Sequence, residues 1–290
     1  RGISAIVGFV DYELTRNHAG PGMRRYNAAA VLQNGKITNI VHKTLLPNYR
    51  YFDDKRYFHP ALKREPVSVR IRGKLIKLGI SICEDMWDEN YDIKPINELV
   101  RKGADMIVNI NASPFYPGKF HQRDMAIKRH VRKTGKPFIY VNTAGAADNG
   151  KNIIPFDGLS SIYDASGNII ALTRQFEEET LCIDFEPAKA YIPAVLPEFP
   201  REKEIYEALL MSLRDYTRKT GDFKKTIVPV SGGIDSALSL ALCAEAFGPA
   251  NVIAYNLPSQ FNSRLTKSIA KQLAVNLGVE YRIIPIRQID

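Results

Sequence analysis

The sequence predicts an α/β protein in two parts: layered sheets and helices up to about residue 186, then a partial doubly wound parallel sheet from residue 204. Three observations carry this. Several β-rich runs in the first part are apolar nearly throughout, as strands covered on both faces are. A stretch at 186–201, with prolines at 187, 193, 197 and 200, then breaks the rhythm and reads as a linker. Beyond it strands alternate with full-length helices, the pattern of a parallel sheet with helical crossovers.

In chain order, strands are expected at 4–10, 28–32, 75–83, 106–110, 138–142, 160–163 and 181–185, where β-branched and aromatic residues cluster between polar turns. Asn34-Gly35 and Ala165-Ser166-Gly167-Asn168 have hairpin-turn composition. Helices are expected at 95–102 and 120–134, the second with a basic outer face. After the linker, an amphipathic helix at 204–219 carries Ile205, Ala208, Leu209, Ser212, Leu213 and Tyr216 on one stripe. A strand at 226–230, a glycine loop, a helix at 236–247 ended by Gly248-Pro249 and a strand at 252–257 follow. A helix at 264–277, capped by Asn262 or Ser263 and ended by Gly278, leads to a last strand at 281–286. Pro229 removes a ladder donor from its strand and fits only a bulge or an edge. The boundaries so drawn are 1–186, a linker at 187–203, and 204–290.

Of the 290 residues, 45% are hydrophobic and 24% charged, ordinary values for a globular protein. No apolar run reaches the roughly 18–20 residues that span a bilayer, so no membrane partner is expected. Cys83, Cys182 and Cys243 are scattered without a CxxC pair, which excludes a disulfide framework or thiolate zinc site and favours the reducing cytoplasm. Cys182 and Cys243 sit among apolar neighbours and are expected to be core. His18, His42, His59, His121 and His130 show no ligand spacing. The net charge of +9 has no nucleic-acid motif or interleaved aromatics beside it and suits small phosphates better than a nucleic acid. The start, Arg-Gly-Ile-Ser-Ala, has neither an initiator Met nor a signal region, and three strands are few for a doubly wound domain; the chain is expected to be an internal piece of a longer protein.

Ser231-Gly232-Gly233-Ile234-Asp235-Ser236 follows an apolar strand and opens a helix. Unpaired backbone N–H groups at the positive end of a helix make an anion site, and glycines let a phosphate approach the backbone. Ser231 and Ser236 offer hydroxyls, and Asp235 an oxygen ligand for Mg²⁺. The pattern resembles the PP-loop, SGGxDS, of enzymes that split ATP into AMP and pyrophosphate. That resemblance implies adenylation of a substrate followed by displacement of AMP, without naming the substrate, since several synthetase classes share it.

In the first part, an apolar strand runs into Cys83-Glu84-Asp85-Met86-Trp87, and Lys43 stands beside the proline-fixed turn of Leu46-Pro47-Asn48. A strand-end cysteine with a lysine and a carboxylate nearby could combine a nucleophile with a cation for the oxyanion. Lys43 in KTLLPNY, YFDDKRYF (51–58), ICEDMW (82–87), NASPFYPGK (111–119) and FDGLS (156–160) together resemble the nitrilase, or carbon–nitrogen hydrolase, superfamily. The wording is similar to the amidase domain of glutamine-dependent NAD⁺ synthetases, and VSGGIDSALSLALCAEAFG with NLPSQFNS (256–263) resembles the synthetase domain of the same family.

The resemblance implies a nitrilase-like αββα sandwich followed by part of a PP-loop domain. It implies that Cys83 attacks the glutamine side-chain amide while Lys43 stabilises the tetrahedral intermediate. Tyr49 and Glu84 would meet the α-amino end of glutamine, and Ser113 and Lys119 its α-carboxylate, with Lys119 standing where arginine is expected. Asp54 falls where relatives carry Glu, one methylene longer. The general-base Glu of the family has no match, Glu13 being read as a solvated residue of a loop; its expected position falls before Arg1. ATP with Mg²⁺ would bind at Ser231, Gly232, Gly233, Asp235, Ser236, Pro258 and Ser259, the metal at Asp235. The implied substrates are glutamine, ATP and nicotinic acid adenine dinucleotide, and the implied assembly a homo-oligomer. The rival readings are another PP-loop amidotransferase, whose glutaminases begin with Cys or use a GxCxG elbow, and a degenerate scaffold without activity.

Overall fold

The computed structural model describes all residues except 1, 18–19, 51, 72, 151, 187–190, 197, 199, 222, 260–262 and 287–290. His18, Tyr51, Pro187, Pro197 and Asn262 therefore lie outside the described residues. The chain forms two compact units. One comprises Arg1–Ser113, Gly118–Ala144 and Asp157–Glu198; the other comprises Pro114–Pro117, Gly145–Phe156 and Phe199–Asp290.

The first unit opens with β1 (Ser4–Asn17), β2 (Gly20–Gln33) and β3 (Lys36–His42), an antiparallel sheet in that order. Asn34 and Gly35 turn β2 into β3 with φ of 52° and 77°, the left-handed pair that matches the twist of a two-residue hairpin. β1 runs past the expected end at residue 10 and places Glu13 in a strand rather than a loop, still exposed, because each residue to Asn17 finds a partner on β2, Glu13 opposite Arg24.

Next come α1 (Asp54–Tyr57), β4 (Val67–Ile71), β5 (Lys74–Ile82), α2 (Pro95–Arg101), β6 (Met106–Asn111), α3 (Lys119–Thr134) and β7 (Phe138–Asn142). The hairpin of β8 (Ala144–Asp148) and β9 (Ile153–Asp157), whose residues 145–156 belong to the second unit, follows, and the first unit resumes with β10 (Ser161–Tyr163) and β11 (Ile169–Leu172). Six of these strands form one sheet in the order β11-β10-β7-β6-β5-β4, with β5, β6 and β7 parallel at its centre and antiparallel strands at its edges. Ala29 and Val31 of β2 pack on Val67, Val69, Leu78, Ile80, Ile82, Met106 and Val108 to join the two sheets face to face. Ile96, Leu99, Ile127 and Val131 of α2 and α3 are buried together with Ile107 and Phe138 of the large sheet's other face. These layers are helix, sheet and sheet, three of the four layers of an αββα sandwich. Gly79 sets the closeness of that packing: a Cβ there would lie 2.6 Å from Ile107 Cδ1 and 3.3 Å from Leu99 Cβ.

One expected strand is absent from this unit. Residues 181–185 join no ladder, and Leu181 and Ile183 are 38% and 37% exposed. Alternation buries side chains only where a partner strand holds the segment flat, and here Phe185 alone reaches the core. Cys182 is accordingly an exposed free thiol, not a core residue.

The second unit carries α4 (Arg201–Thr220), β12 (Thr226–Pro229), α5 (Ile234–Phe247), β13 (Val252–Asn256), α6 (Arg264–Asn276) and β14 (Glu280–Ile283). The three strands pair in parallel as β12-β13-β14 around a core that includes Val228, Val230, Leu240, Ala254, Ala270 and Ala274. Cys243 packs against this core, as expected. Pro229 ends β12, which is an edge strand among the described residues, where its missing donor costs least. Ser263 caps α6, its hydroxyl accepting the Thr266 N–H at 3.1 Å. α4 differs from expectation. It begins inside the proline-rich segment, and Ile205 and Leu209 of the expected stripe are 38% and 43% exposed, while Glu204, Ala208, Leu210 and Asp215 are buried. The Asp215 carboxylate accepts the Ala146 N–H at 2.7 Å and pairs with Lys219 and Arg218. These partners offset the cost of burying the carboxylate, and apolar periodicity does not register it.

Candidate active site

Parallel strands deliver their C-terminal ends to one rim of a sheet, where loops present side chains. Ile82 of β5 lies opposite Ile110 of β6, and Asn111 of β6 opposite Asn142 of β7. The chain leaves this rim at Cys83, Ser113 and Asn142. Cys83 is not the last residue of the strand but the first of a 3₁₀ turn, Cys83–Met86, with φ of +46°. A β-carbon residue held left-handed costs about 1–3 kcal/mol and persists only where its surroundings fix it. The elbow leaves the thiol partly buried.

Lys43 follows β3 and is 3% exposed, and its Nζ donates to Asp54 Oδ2 at 2.6 Å. Burial alone would lower its pKa, but the charges of Cys83 and Asp54 outweigh burial and hold it above the ordinary lysine range. Burial pushes the Cys83 thiol up, Lys43 and Lys119 pull it down, and the net direction is upward. The resting thiol is therefore protonated at neutral pH and needs a base before it attacks. Asp54, one methylene shorter than the Glu expected at its position, is the carboxylate that complements Lys43.

Glu84 is 4% exposed and accepts two phenols: Tyr49 Oη at 2.9 Å from Oε2 and Tyr91 Oη at 3.0 Å from Oε1. Burial raises its pKa despite these bonds and the nearby Lys43 and Lys119. Tyr91 was missed by sequence reading; it lies beyond the ICEDMW motif, and only the return of the chain after the 3₁₀ turns brings it back. Lys119, the first residue of α3, places Nζ 4.1 Å from the centroid of the Trp87 ring, a cation–π contact. Burial first, then Arg123, brings its pKa down to about 8.

Ser113 is buried, and its N–H donates to Asn142 Oδ1 at 2.9 Å. Asn142 Nδ2 donates in turn to Asp157 Oδ1 at 3.1 Å, which also accepts Arg123 Nη2 at 2.9 Å. Arg123 is 1% exposed and its guanidinium lies 4.7 Å from the Tyr140 ring centroid. The outer face of α3 is basic as expected, with Arg132 and Lys133 exposed, while Arg123 on the inner face is a buried strut that Asp157 of FDGLS neutralises. The first unit thus gathers Cys83, Lys43, Tyr49, Glu84 and Lys119 into one set of interacting charged and polar groups, with Asp54 and Tyr91 beside them, while Ser113 is linked through Asn142 and Asp157 to Arg123.

In the second unit the glycine loop joins β12 to α5, as expected. Ser236 Oγ accepts the Ser231 N–H at 3.2 Å and donates to the Gly233 carbonyl at 3.0 Å, and Ser231 Oγ accepts the Gly233 N–H at 3.2 Å. Gly232 has φ of +91°, and a Cβ there would sit 2.3 Å from the Thr266 carbonyl of α6. Its glycine is required by the neighbouring helix before any phosphate is considered. Asn256 Nδ2 donates to the Val230 carbonyl at 2.9 Å and holds the strand ends together. A cleft of about 150 Å³ opens there, lined by Pro229, Val230, Ser231, Ser236, Tyr255, Asn256 and Leu257. Pro258 is buried next to it and its carbonyl accepts the Ile286 N–H, while Ser259 is half-buried. Asp235 is exposed in the first turn of α5.

Residues 205–290 match the family model for NAD synthase. Among curated proteins, the glutamine-dependent NAD(+) synthetases of Aquifex aeolicus (strain VF5) and Synechocystis sp. (strain ATCC 27184 / PCC 6803 / Kazusa) are each 34% identical, over 91% and 98% of this chain and 50% and 51% of their own lengths. The chain spans about half the length of the curated relatives it matches. The solved glutamine-dependent NAD⁺ synthetase from Acinetobacter baumannii, in complex with adenosine diphosphate, is similar with a TM-score of 0.79 and 30% identity over 97% of this chain and 51% of that one. The Cytophaga hutchinsonii glutamine-dependent NAD(+) synthetase shares the fold at a TM-score of 0.71 and 19% identity over 98% of this chain and 52% of that one. The family model for carbon-nitrogen hydrolase matches residues 1–191, which include the Cys83 elbow, Lys43 and the sheet that presents them, and the chain belongs to the carbon–nitrogen hydrolase family.

Proposed function

We propose that the chain is the glutaminase and nucleotide-binding part of a glutamine-hydrolysing NAD⁺ synthetase. The observation that carries this reading is the left-handed Cys83 elbow coupled to buried Lys43, on the same chain as a serine–glycine loop that opens a helix.

Glutamine enters with its α-amino group toward Glu84, whose carboxylate is held by Tyr49 and Tyr91, and its α-carboxylate toward Ser113 and Lys119. The side-chain carbonyl then faces Cys83, and Lys43 supplies a fixed positive charge where the tetrahedral oxyanion develops. Collapse expels ammonia and leaves a γ-glutamyl thioester on Cys83, which water hydrolyses. Asp54 is committed to Lys43 and Glu84 to the phenols, so neither is assigned as the base that takes the thiol proton.

At the second site ATP lies along Ser231, Gly232, Gly233 and Ser236, with Pro258 and Ser259 beside the nucleotide. The first-turn amides of α5 have no intrahelical acceptor and suit phosphate oxygens. Asp235 and the two serine hydroxyls offer the oxygen donors that Mg²⁺ takes, and Asp235 would be its protein ligand. Bound there, Mg²⁺ would neutralise charge on the phosphates. The carboxylate of nicotinic acid adenine dinucleotide attacks the α-phosphate of ATP and releases pyrophosphate. Ammonia displaces AMP from the adenylate and gives NAD⁺. No helix of the described residues is long and apolar enough to cross a membrane. A free nucleophilic thiol favours the cytoplasm, and assembly as a homo-oligomer completes the proposal.

Glutamine labelled with ¹⁵N in its amide, supplied with ATP and the deamido dinucleotide, tests the reading. The expected products are NAD⁺ with ¹⁵N in its carboxamide, AMP and pyrophosphate. Unlabelled NAD⁺, or ADP and phosphate in place of AMP, would contradict it.

A further inference from the structure

Lys43 and Cys83 belong to different sheets. Lys43 follows β3 of the three-stranded sheet, and Cys83 follows β5 of the six-stranded one. Near these residues the contact between those sheets is apolar side-chain packing, which attracts without fixing direction; the hydrogen bonds of Gln33 with Ser68 and Arg70 of β4 lie at the other end of the β2–β3 ladder from the pair of Ala28 and His42. A cation meant to meet an oxyanion must be placed to within about half an ångström, and such packing does not supply that.

Asp85 does. It is 2% exposed, two residues beyond the nucleophile. Its Oδ1 accepts the N–H of Thr44 at 3.0 Å and of Leu45 at 2.8 Å, the two residues after Lys43. Its Oδ2 accepts the N–H of Ile82, the residue before Cys83, at 3.0 Å. Hydrogen bonds to an ionised carboxylate are short, directional and roughly twice as strong as neutral ones. One side chain thereby ties the backbone around Lys43 to the backbone of the elbow.

We propose that Asp85 is a positioning residue for the thiol, its carboxylate holding the Lys43 ammonium in register with Cys83 across the two sheets. This rests on the reading of Cys83 as the nucleophile. Burial raises the Asp85 carboxyl to about 6, its three N–H donors opposing the rise. Above that pH both oxygens accept; below it one oxygen becomes a hydroxyl donor facing an N–H, and the tie weakens. The titratable groups that face Asp85 are Lys43 from the segment after β3 and Tyr91 from beyond the 3₁₀ turns, with Cys83 and Glu84 on its own turn.

The test is alkylation of Cys83 by iodoacetamide between pH 5 and 10, read by peptide mass spectrometry on the full protein. It needs no glutamine chemistry, so its failure is separable from failure of the parent reading, which loss of glutamine-dependent NAD⁺ formation in Cys83→Ala addresses. Lys43→Met is expected to slow alkylation at neutral pH about tenfold, as one pKa unit implies. Asp85→Asn should slow it in the same direction, and the double variant no further than Lys43→Met alone, because both act through one charge. A folded Asp85→Asn protein with the wild-type profile, or additive losses in the double variant, would overturn the proposal. Should Asp85→Asn fail to fold, the ratio of wild-type to Lys43→Met rates decides. It should fall toward one as pH drops through about 6. Lys43 also shifts the Glu84 titration, so the two rates are compared in a Glu84→Gln background, where that carboxylate is absent from both. A ratio constant down to pH 5 would overturn the proposal as surely.

Discussion

Lys119 shows how one residue type changes the behaviour of a site. An arginine at the head of α3 would stay charged at any physiological pH, whereas burial brings this lysine to about 8. A depressed lysine keeps its cation below that value and loses it as pH rises through it. If the cation receives the glutamine α-carboxylate, KM for glutamine should climb above pH 8, approaching tenfold per pH unit, while kcat changes little. Lys119→Arg should flatten that limb; a wild-type KM flat from pH 7 to 9.5 would remove Lys119 from carboxylate recognition. Tyr91 makes a second residue-scale case. It donates to the Glu84 carboxylate, and a hydrogen bond to a charged group is worth about 1.5–3 kcal/mol. Tyr91→Phe should raise KM for glutamine about tenfold or more and leave ammonium-supported synthesis unchanged. The sequence shows Cys83, Lys43 and Glu84 because motif spacing marks them. It hides Tyr91, Asn142 and Asp157, whose roles arise only when distant segments meet at the rim of one sheet, and it misplaces Cys182, whose apolar neighbours find no partner strand.

At the scale of elements, two glycines explain how closely strands and helices approach. Gly79 lies under α2, and Gly79→Ala would drive a methyl to 2.6 Å from Ile107. Overpacking of this kind costs about 1–3 kcal/mol, to be read as a lower urea midpoint with an unchanged m-value. Gly232 lies against the first turn of α6, and Gly232→Ala meets both the Thr266 carbonyl and an unfavourable φ. ATP affinity should fall sharply by calorimetry while the Cys83 alkylation rate is unaffected; an unaltered ATP affinity would mean that the loop geometry is not what binds the nucleotide. The parallel strands, α3, α5 and the Asn34-Gly35 and 165–168 hairpins were legible because periodicity and turn chemistry are local. β3, β4 and the β8–β9 hairpin were not, since short edge strands carry mixed composition and exist through their partners. The rotation of α4 escaped for a different reason, the use of Asp215 as a buried acceptor for backbone N–H.

For the whole molecule, the two-part α/β organisation followed from a change in rhythm and a proline-rich break. Membership of the carbon–nitrogen hydrolase family followed from the Cys83, Lys43 and FDGLS wording. The way residues 145–156 join the unit containing the phosphate loop was not legible, because nothing local in AGAADNGKNIIPFD announces it. The division of labour between a thiol that frees ammonia and a loop that holds ATP is the central claim. Its most direct test is NAD⁺ formation by wild-type and Cys83→Ala protein from ATP and the deamido dinucleotide, with glutamine or ammonium as donor. The account predicts that Cys83→Ala loses glutamine-supported synthesis by at least about a thousandfold, as expected for removal of a covalent nucleophile, and keeps ammonium-supported synthesis. Equal loss with both donors, or equal retention, would contradict it.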